Sequence, residues 1–296
     1  MIKLMDYFKK LLVHAAYKFQ LCIAKRRFDS AAPVREFLPE NTVKKIIEKY
    51  SKIEASPFQD YSLPGLKKRA RERVNQLGRL GSFEGKSVLE IGAADGFVLK
   101  ECLAEGAKRA LAVDVRDQRH EEVKQSGVEI ALTSAENMKD LQDHSFDLIY
   151  SWGSLEHILE IEKVATECYR LLRPQGFIFI EAGPLYYSPW GYHYYSILRV
   201  PYIHLLFPGN VLKEYALARR NDGKNVDFPW TSGNSFSRYK AIIQHLPQSM
   251  SLIDFWHGYD WFHSDLIIKY PEIFKSKNVP FDEFFIDCVR IVLTKK

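Results

Sequence analysis

From residue 86 onward the chain alternates short apolar runs with longer amphipathic stretches. SVLEI (87–91), RALAVDV (109–115), VEIALT (128–133), FDLIYSW (146–152) and GFIFIEA (176–182) have the length and β-branched or aromatic content of buried strands. Helical spacing follows them in FVLKECLAEG, in a polar stretch after the second run, and in SLEHILEIEKVATECYRLL. Strands that alternate with helices in this way predict a parallel sheet with both faces covered. A later helix, SRYKAIIQHL (237–246), precedes two more strand-like runs, SLIDFWHG (251–258) and CVRIVLTK (288–295). The expected fold is therefore α/β, a seven-stranded and mostly parallel sheet.

Two regions break the alternation. Residues 1–27 place Leu4, Phe8, Leu11, Leu12, Ala15, Phe19 and Ile23 at helical spacing. Lys18 interrupts the apolar run and Lys25-Arg26-Arg27 follows it, so a secretory leader is not expected. Two readings stay open: a helix packed on the protein or a partner, or a basic amphipathic helix in peripheral contact with an anionic membrane. Prolines 33, 39 and 57 punctuate residues 31–60, and PGLKKRARERVNQLGRL (64–80) reads as a helix with a solvated basic face. Residues 183–235 form the second break. Eight aromatics fall between Tyr186 and Phe207, against 14% aromatic residues for the chain, so this stretch is a distinct insertion rather than another strand and helix. The expected organisation is an N-terminal helical extension (1–80) and an α/β domain (81–296), whose insertion (183–235) after the fifth strand caps the ligand-binding end of the sheet.

Composition narrows the partners. With 296 residues, the chain can bury a core without disulfides or metal. Cys22, Cys102, Cys168 and Cys288 are too dispersed for a zinc or redox motif, and no metal site is expected. No apolar run is long enough for a membrane span. The net charge of +5 resides in residues 1–30, where seven basic groups face two acidic ones. The aromatic run has one arginine and no lysine, so nucleic acid is not an expected partner. A cytoplasmic location is expected, with the inner face of a membrane as the peripheral option.

The turn VLEIGAADGF between the first strand and its helix carries the chemistry. Glycines there let a ligand approach the backbone, and a helix N-terminus favours negative charge. Asp114 ends the second strand, where a carboxylate can take both hydroxyls of a ribose. A dinucleotide loop would need glycine at Ala94 and Phe97, and Phe97 is far too large. The motifs VLEIGAADG, AVDV, TSAENMKDLQDHSFDLIYSWGSLEHI and RLLRPQGFIFIE, in this order, resemble the core of the class I methyltransferases, which have a Rossmann-like sheet and use S-adenosylmethionine. The resemblance covers residues 86–182 and points to the small-molecule type with a Leu-Glu-His tripeptide. It implies that Glu90 faces the methionine amine and that Gly92, Ala93, Ala94 and Gly96 wrap the methionine moiety. It places Asp114 and Val115 at the ribose, Ser134, Ala135 and Glu136 at the adenine, and Ser151 and Trp152 at the sulfonium end. Ala94 stands where the family commonly has glycine, and Ser134 where it often has aspartate.

Methyl transfer requires alignment above all, with a base where the acceptor must lose a proton. His157, read as lying in the first turn of the helix after the fourth strand, is the first candidate. Glu181, at the end of the fifth strand, and His193, in the insertion, are the others, with Glu156 and His204 as weaker ones. The expected activity is methyl transfer to a small-molecule, glycan or lipid-linked acceptor. The alternative is a non-catalytic binding or assembly module of the same fold.

Overall fold

The computed structural model describes residues 2–50, 60–193, 197–219 and 232–296, with residues 2–15 as backbone alone. Tyr194 and Tyr195 of the aromatic run lie outside the described residues. The chain divides into two compact units. One comprises residues 56–183, 236–257 and 288–296; the other comprises 1–55, 184–235 and 258–287.

The first unit is built on a seven-stranded sheet in the order β3-β2-β1-β4-β5-β7-β6. The strands are β1 (Ser87–Ile91), β2 (Arg109–Asp114), β3 (Glu129–Leu132), β4 (Phe146–Trp152), β5 (Leu172–Ala182), β6 (Met250–Tyr259) and β7 (Ile286–Lys295). The first five pair in parallel, and β7 runs antiparallel to β5. Every residue of β1 is buried, and β4 is nearly so, because helices cover both faces. Val88, Ala110, Ala112, Leu148, Tyr150, Trp152 and Phe179 form one core with residues of the helices over Leu63–Leu77 and Phe97–Ala104.

Eleven α-helices are described: α1 (Ile2–Ser30), α2 (Val43–Tyr50), α3 (Leu63–Leu77), α4 (Phe97–Ala104), α5 (Glu121–Lys124), α6 (Ile161–Leu171), α7 (Ile203–Leu206), α8 (Gly209–Leu217), α9 (Phe236–Gln244), α10 (Ser264–Lys269) and α11 (Pro271–Lys275). Helices α3 to α6 and α9 belong to the sheet unit. Two expectations change here. The long helix expected after the fourth strand is interrupted. Leu155–His157 make a 3₁₀ turn, Ile158 is extended, and α6 starts only at Ile161. The cause is a tertiary contact: the backbone N–H of Glu160 donates to Glu136 Oε1 at 2.7 Å, which anchors the chain there and starts the helix afresh. His157 therefore sits in the 3₁₀ turn and not in the first turn of α6. The basic helix α3 is also more than a solvated face. Ala70, Val74 and Leu77 are buried in the sheet unit's core, and Lys67 pairs with Glu122 at 2.7 Å.

The second unit is helical, with its own core drawn from residues far apart in sequence. Tyr202, Leu206, Phe207, Leu212, Phe274 and Phe284 are fully buried there. The Tyr202 hydroxyl donates to the Phe284 carbonyl at 2.7 Å. Tyr50 donates to Asp265 at 2.7 Å, which fixes α2 to α10. The second half of α1 packs on this unit through Ala24 and Phe28, with Tyr17 edge-on to Phe262 at 4.9 Å. No described helix is long and apolar enough to cross a membrane.

Candidate functional site

The loop after β1 is where the parallel strands end and their ligand side begins. Gly92, Ala94 and Gly96 all have left-handed backbone, with φ of 70°, 44° and 75°. Gly92 N–H donates to the Val113 carbonyl at 2.8 Å, which ties the loop to β2. Asp95 Oδ1 accepts from Phe97 N–H at 3.0 Å, which holds the turn through the N-cap Gly96 into α4. A Cβ on Gly92 would lie 2.2 Å from Ser154 Oγ, and one on Gly96 would lie 2.8 Å from a Val123 methyl. The space at Gly92 is thus filled by the protein itself, through a serine that donates to the Gly92 carbonyl at 3.2 Å. Ala94 adopts the same left-handed geometry without being glycine, which explains why glycine suits that position and which strains the loop by about 1–2 kcal/mol.

Asp114 closes β2 beside this loop. Its Oδ2 accepts from Ala94 N–H at 3.4 Å and its Oδ1 from Arg116 N–H at 3.1 Å. Each carboxylate oxygen keeps a lone pair, enough for the two hydroxyls of a ribose. Val115 follows the strand and is exposed. Glu90 is 3% exposed, within β1, and in register with Tyr150 of β4. Burial pushes its carboxyl up to about 8, and the guanidinium of Arg73 and the Tyr150 hydroxyl, donating at 3.0 Å, oppose that rise only in part. A carboxyl in that condition is stabilised in its charged form by a cation placed beside it. The donor set therefore fits S-adenosylmethionine: a carboxylate for the ribose, a buried acid for the ammonium, and a loop that opens onto the start of α4.

The other expected site residues fall into two groups. Ser134 and Glu136 bond each other, with Ser134 Oγ donating to Glu136 Oε2 at 3.1 Å, beside buried Ala135. Glu136 also holds the start of α6. Ser151 is fully buried and donates to the Ile91 carbonyl at 3.0 Å, so its hydroxyl ties β4 to β1. Trp152 is buried against Phe179. His157 N–H donates to the Ser154 carbonyl at 3.0 Å, and Ser154 is the residue that reaches Gly92, so His157 lies two hydrogen bonds from the glycine loop. Glu181 accepts from Arg290 at 2.7 and 3.0 Å, and this ion pair occupies one of its oxygens. In the other unit, a His193 ring nitrogen lies 2.8 Å from the Pro184 carbonyl. His204 is buried in that unit's core, where burial pulls its pKa down to about 3, so its role there is packing.

Three residues join the site that the sequence pattern does not single out. Arg73 reaches from α3 to the neighbourhood of Glu90, with its guanidinium 5.0 Å from the centre of the Trp152 ring. The available signal is its place in the run Ala70, Arg73, Val74, Leu77, an arginine on an otherwise buried stripe. Tyr150 stands opposite Glu90 in an apolar strand, and Ser154 precedes the Leu-Glu-His turn.

Residues 89–180 match the family model described as a methyltransferase domain. A ubiquinone biosynthesis O-methyltransferase of Pseudomonas fluorescens is 26% identical over 142 residues, 46% of this chain and 60% of that protein. One of the same name from Pseudomonas entomophila is 28% identical over 113 residues, 36% of this chain and 48% of that protein. The chain thus spans about half to three fifths of the length of these curated relatives. Among solved structures, an S-adenosylmethionine-dependent methyltransferase from Mesorhizobium loti is similar over 76% of this chain and 96% of its own, with 13% identity and a TM-score of 0.45. Residues 89–180, which supply β2 to β4 and most of β1 and β5, thus match a methyltransferase domain.

Proposed function

We propose that this chain is an S-adenosylmethionine-dependent methyltransferase acting on a small-molecule acceptor, and that the methyl group goes to an oxygen. The observation that carries the reading is the convergence of Glu90, the Gly92–Gly96 loop and Asp114 at the carboxyl ends of β1 and β2. The name of the Pseudomonas relatives supports the oxygen acceptor. Glycan and lipid-linked acceptors are covered by the same chemistry.

When bound, S-adenosylmethionine supplies an activated methyl group on a sulfonium. The residues of this chain then have three tasks. Asp114 holds the ribose diol by two charge-assisted hydrogen bonds. Glu90 gives up its proton to face the ammonium as a carboxylate. His157 takes the proton of the acceptor hydroxyl, a role that suits a side chain of histidine's chemistry. Glu181 is already engaged by Arg290, so His157 stands ahead of it.

Calorimetric titration with S-adenosylmethionine, followed by a screen of phenolic, sugar and isoprenoid acceptors with methyl-labelled cofactor, tests the reading. Saturable binding and a product heavier by one methyl group are expected. Absence of cofactor binding would overturn it, and binding without transfer to any acceptor would favour the non-catalytic module.

A further inference from the structure

The sequence of helix α1 carries two apolar stripes, and in the half whose side chains are described one is packed and Phe19 of the other is exposed. In its described half, Tyr17, Leu21, Ala24 and Phe28 recur at steps of four, three and four residues and all contact the helical unit. Phe19 is two residues from Tyr17, about 200° around the helix. It is 70% exposed, and Ile23 on the same side is only half-buried. In sequence, Leu4, Phe8, Leu11 and Ala15 continue this second stripe towards the N-terminus at helical spacing. Among the residues with described side chains, the packed face accounts for Tyr17, Leu21, Ala24 and Phe28 and leaves Phe19 facing outward.

The cations follow the unpacked stripe. Lys18 lies on one side of Phe19 and Arg27 on the other, with Arg26 at its end, and all three are exposed. Lys25 is engaged with Asp29 at 2.9 Å and the Phe281 ring, so it serves the folded unit. Residues 1–30 carry an excess of five positive charges, equal to the net charge of the whole chain. An apolar stripe bordered by cations, on a helix about 43 Å long, matches the charge and depth profile of an anionic bilayer surface.

We propose that α1 is a surface anchor: its Tyr17–Phe28 face holds the helical unit, and its Phe19 face lies in the interface of an anionic lipid bilayer. A second apolar face would be a solubility liability on a helix exposed only to water. The cations flanking it are the wrong choice for an ordinary apolar protein groove and the right one for acidic headgroups. The proposal is independent of the methyl-transfer reading.

The test is co-sedimentation of the full chain with phosphatidylcholine vesicles, with and without phosphatidylglycerol. Binding is expected only to the vesicles that contain phosphatidylglycerol, and it should fall with added salt. Lys18→Gln with Arg27→Gln should weaken it about 30-fold, five- to sixfold per cation. Phe19→Ser should weaken it about tenfold, with the melting curve unchanged because Phe19 is 70% exposed. Equal binding to both vesicle types, or wild-type binding by both variants, overturns the proposal. Light scattering that shows a dimer abolished by Phe19→Ser, with no vesicle binding, overturns it in favour of a contact between copies of this chain.

Discussion

Glu90→Gln isolates the most unusual group of the site. Glutamine keeps the volume and an acceptor for the Tyr150 hydroxyl but cannot ionise. In the wild type, the carboxyl titrates at 4.5 when unfolded and at about 8 when folded. The folded state therefore holds the proton more tightly. The sign follows: the group's contribution to stability is full below pH 4.5 and is lost as the pH rises through about 8. Between those two values the loss is about 1.4 kcal/mol for every pH unit, so the wild type loses about 3 kcal/mol by pH 7 and at most about 5 by pH 8. Denaturant unfolding of both proteins at intervals from pH 5 to pH 8 should show the Glu90→Gln profile gaining on the wild type by about 3 to 4 kcal/mol. Cofactor binding gives the complementary reading. If the ammonium of the cofactor ionises Glu90, the wild type releases close to one proton per bound cofactor at pH 7 and the variant releases none. Calorimetry in buffers of different ionisation enthalpy measures this directly. Parallel stability profiles would refute the burial argument, and binding without proton release would refute the placement of the ammonium at Glu90.

Other substitutions probe the neighbouring parts. Asp114→Ala removes two charge-assisted hydrogen bonds and should weaken S-adenosylmethionine binding by at least about 100-fold in a titration. Gly92→Ala forces a side chain against Ser154 in a left-handed backbone, so its melting temperature should drop along with cofactor binding, and Ser154→Gly in the same chain should restore part of the stability; a wild-type melt for Gly92→Ala alone would count against the loop geometry. His157→Ala should lower turnover by about 100- to 10,000-fold with cofactor affinity unchanged, measured once an acceptor is in hand. Near-normal turnover would make His157 a support for the Ser154 turn instead.

Much of the sheet unit was legible because its signals are local. Each strand is a short apolar run that can be read within its own few residues, and the seven runs read from sequence match the seven strands closely. The glycine loop was legible for the same reason, since left-handed backbone at Gly92 and Gly96 is imposed within five residues. Three features needed the assembled chain. The break before α6 comes from Glu136, 24 residues before the backbone N–H it captures. The polar partners of buried Glu90 are Arg73 and Tyr150, one from a helix that reads as solvated and one 60 residues downstream. The joining of residues 1–55 with 184–235 and 258–287 into one compact unit rests on aromatic contacts such as Tyr202 with Phe274, which no periodicity announces. Sequence alone determined where the backbone could extend, turn and admit a nucleotide, because those are short-range steric and hydrophobic preferences. Tertiary structure decided which charges lose their water and which apolar face of α1 is used, because desolvation and packing depend on groups that only folding brings together.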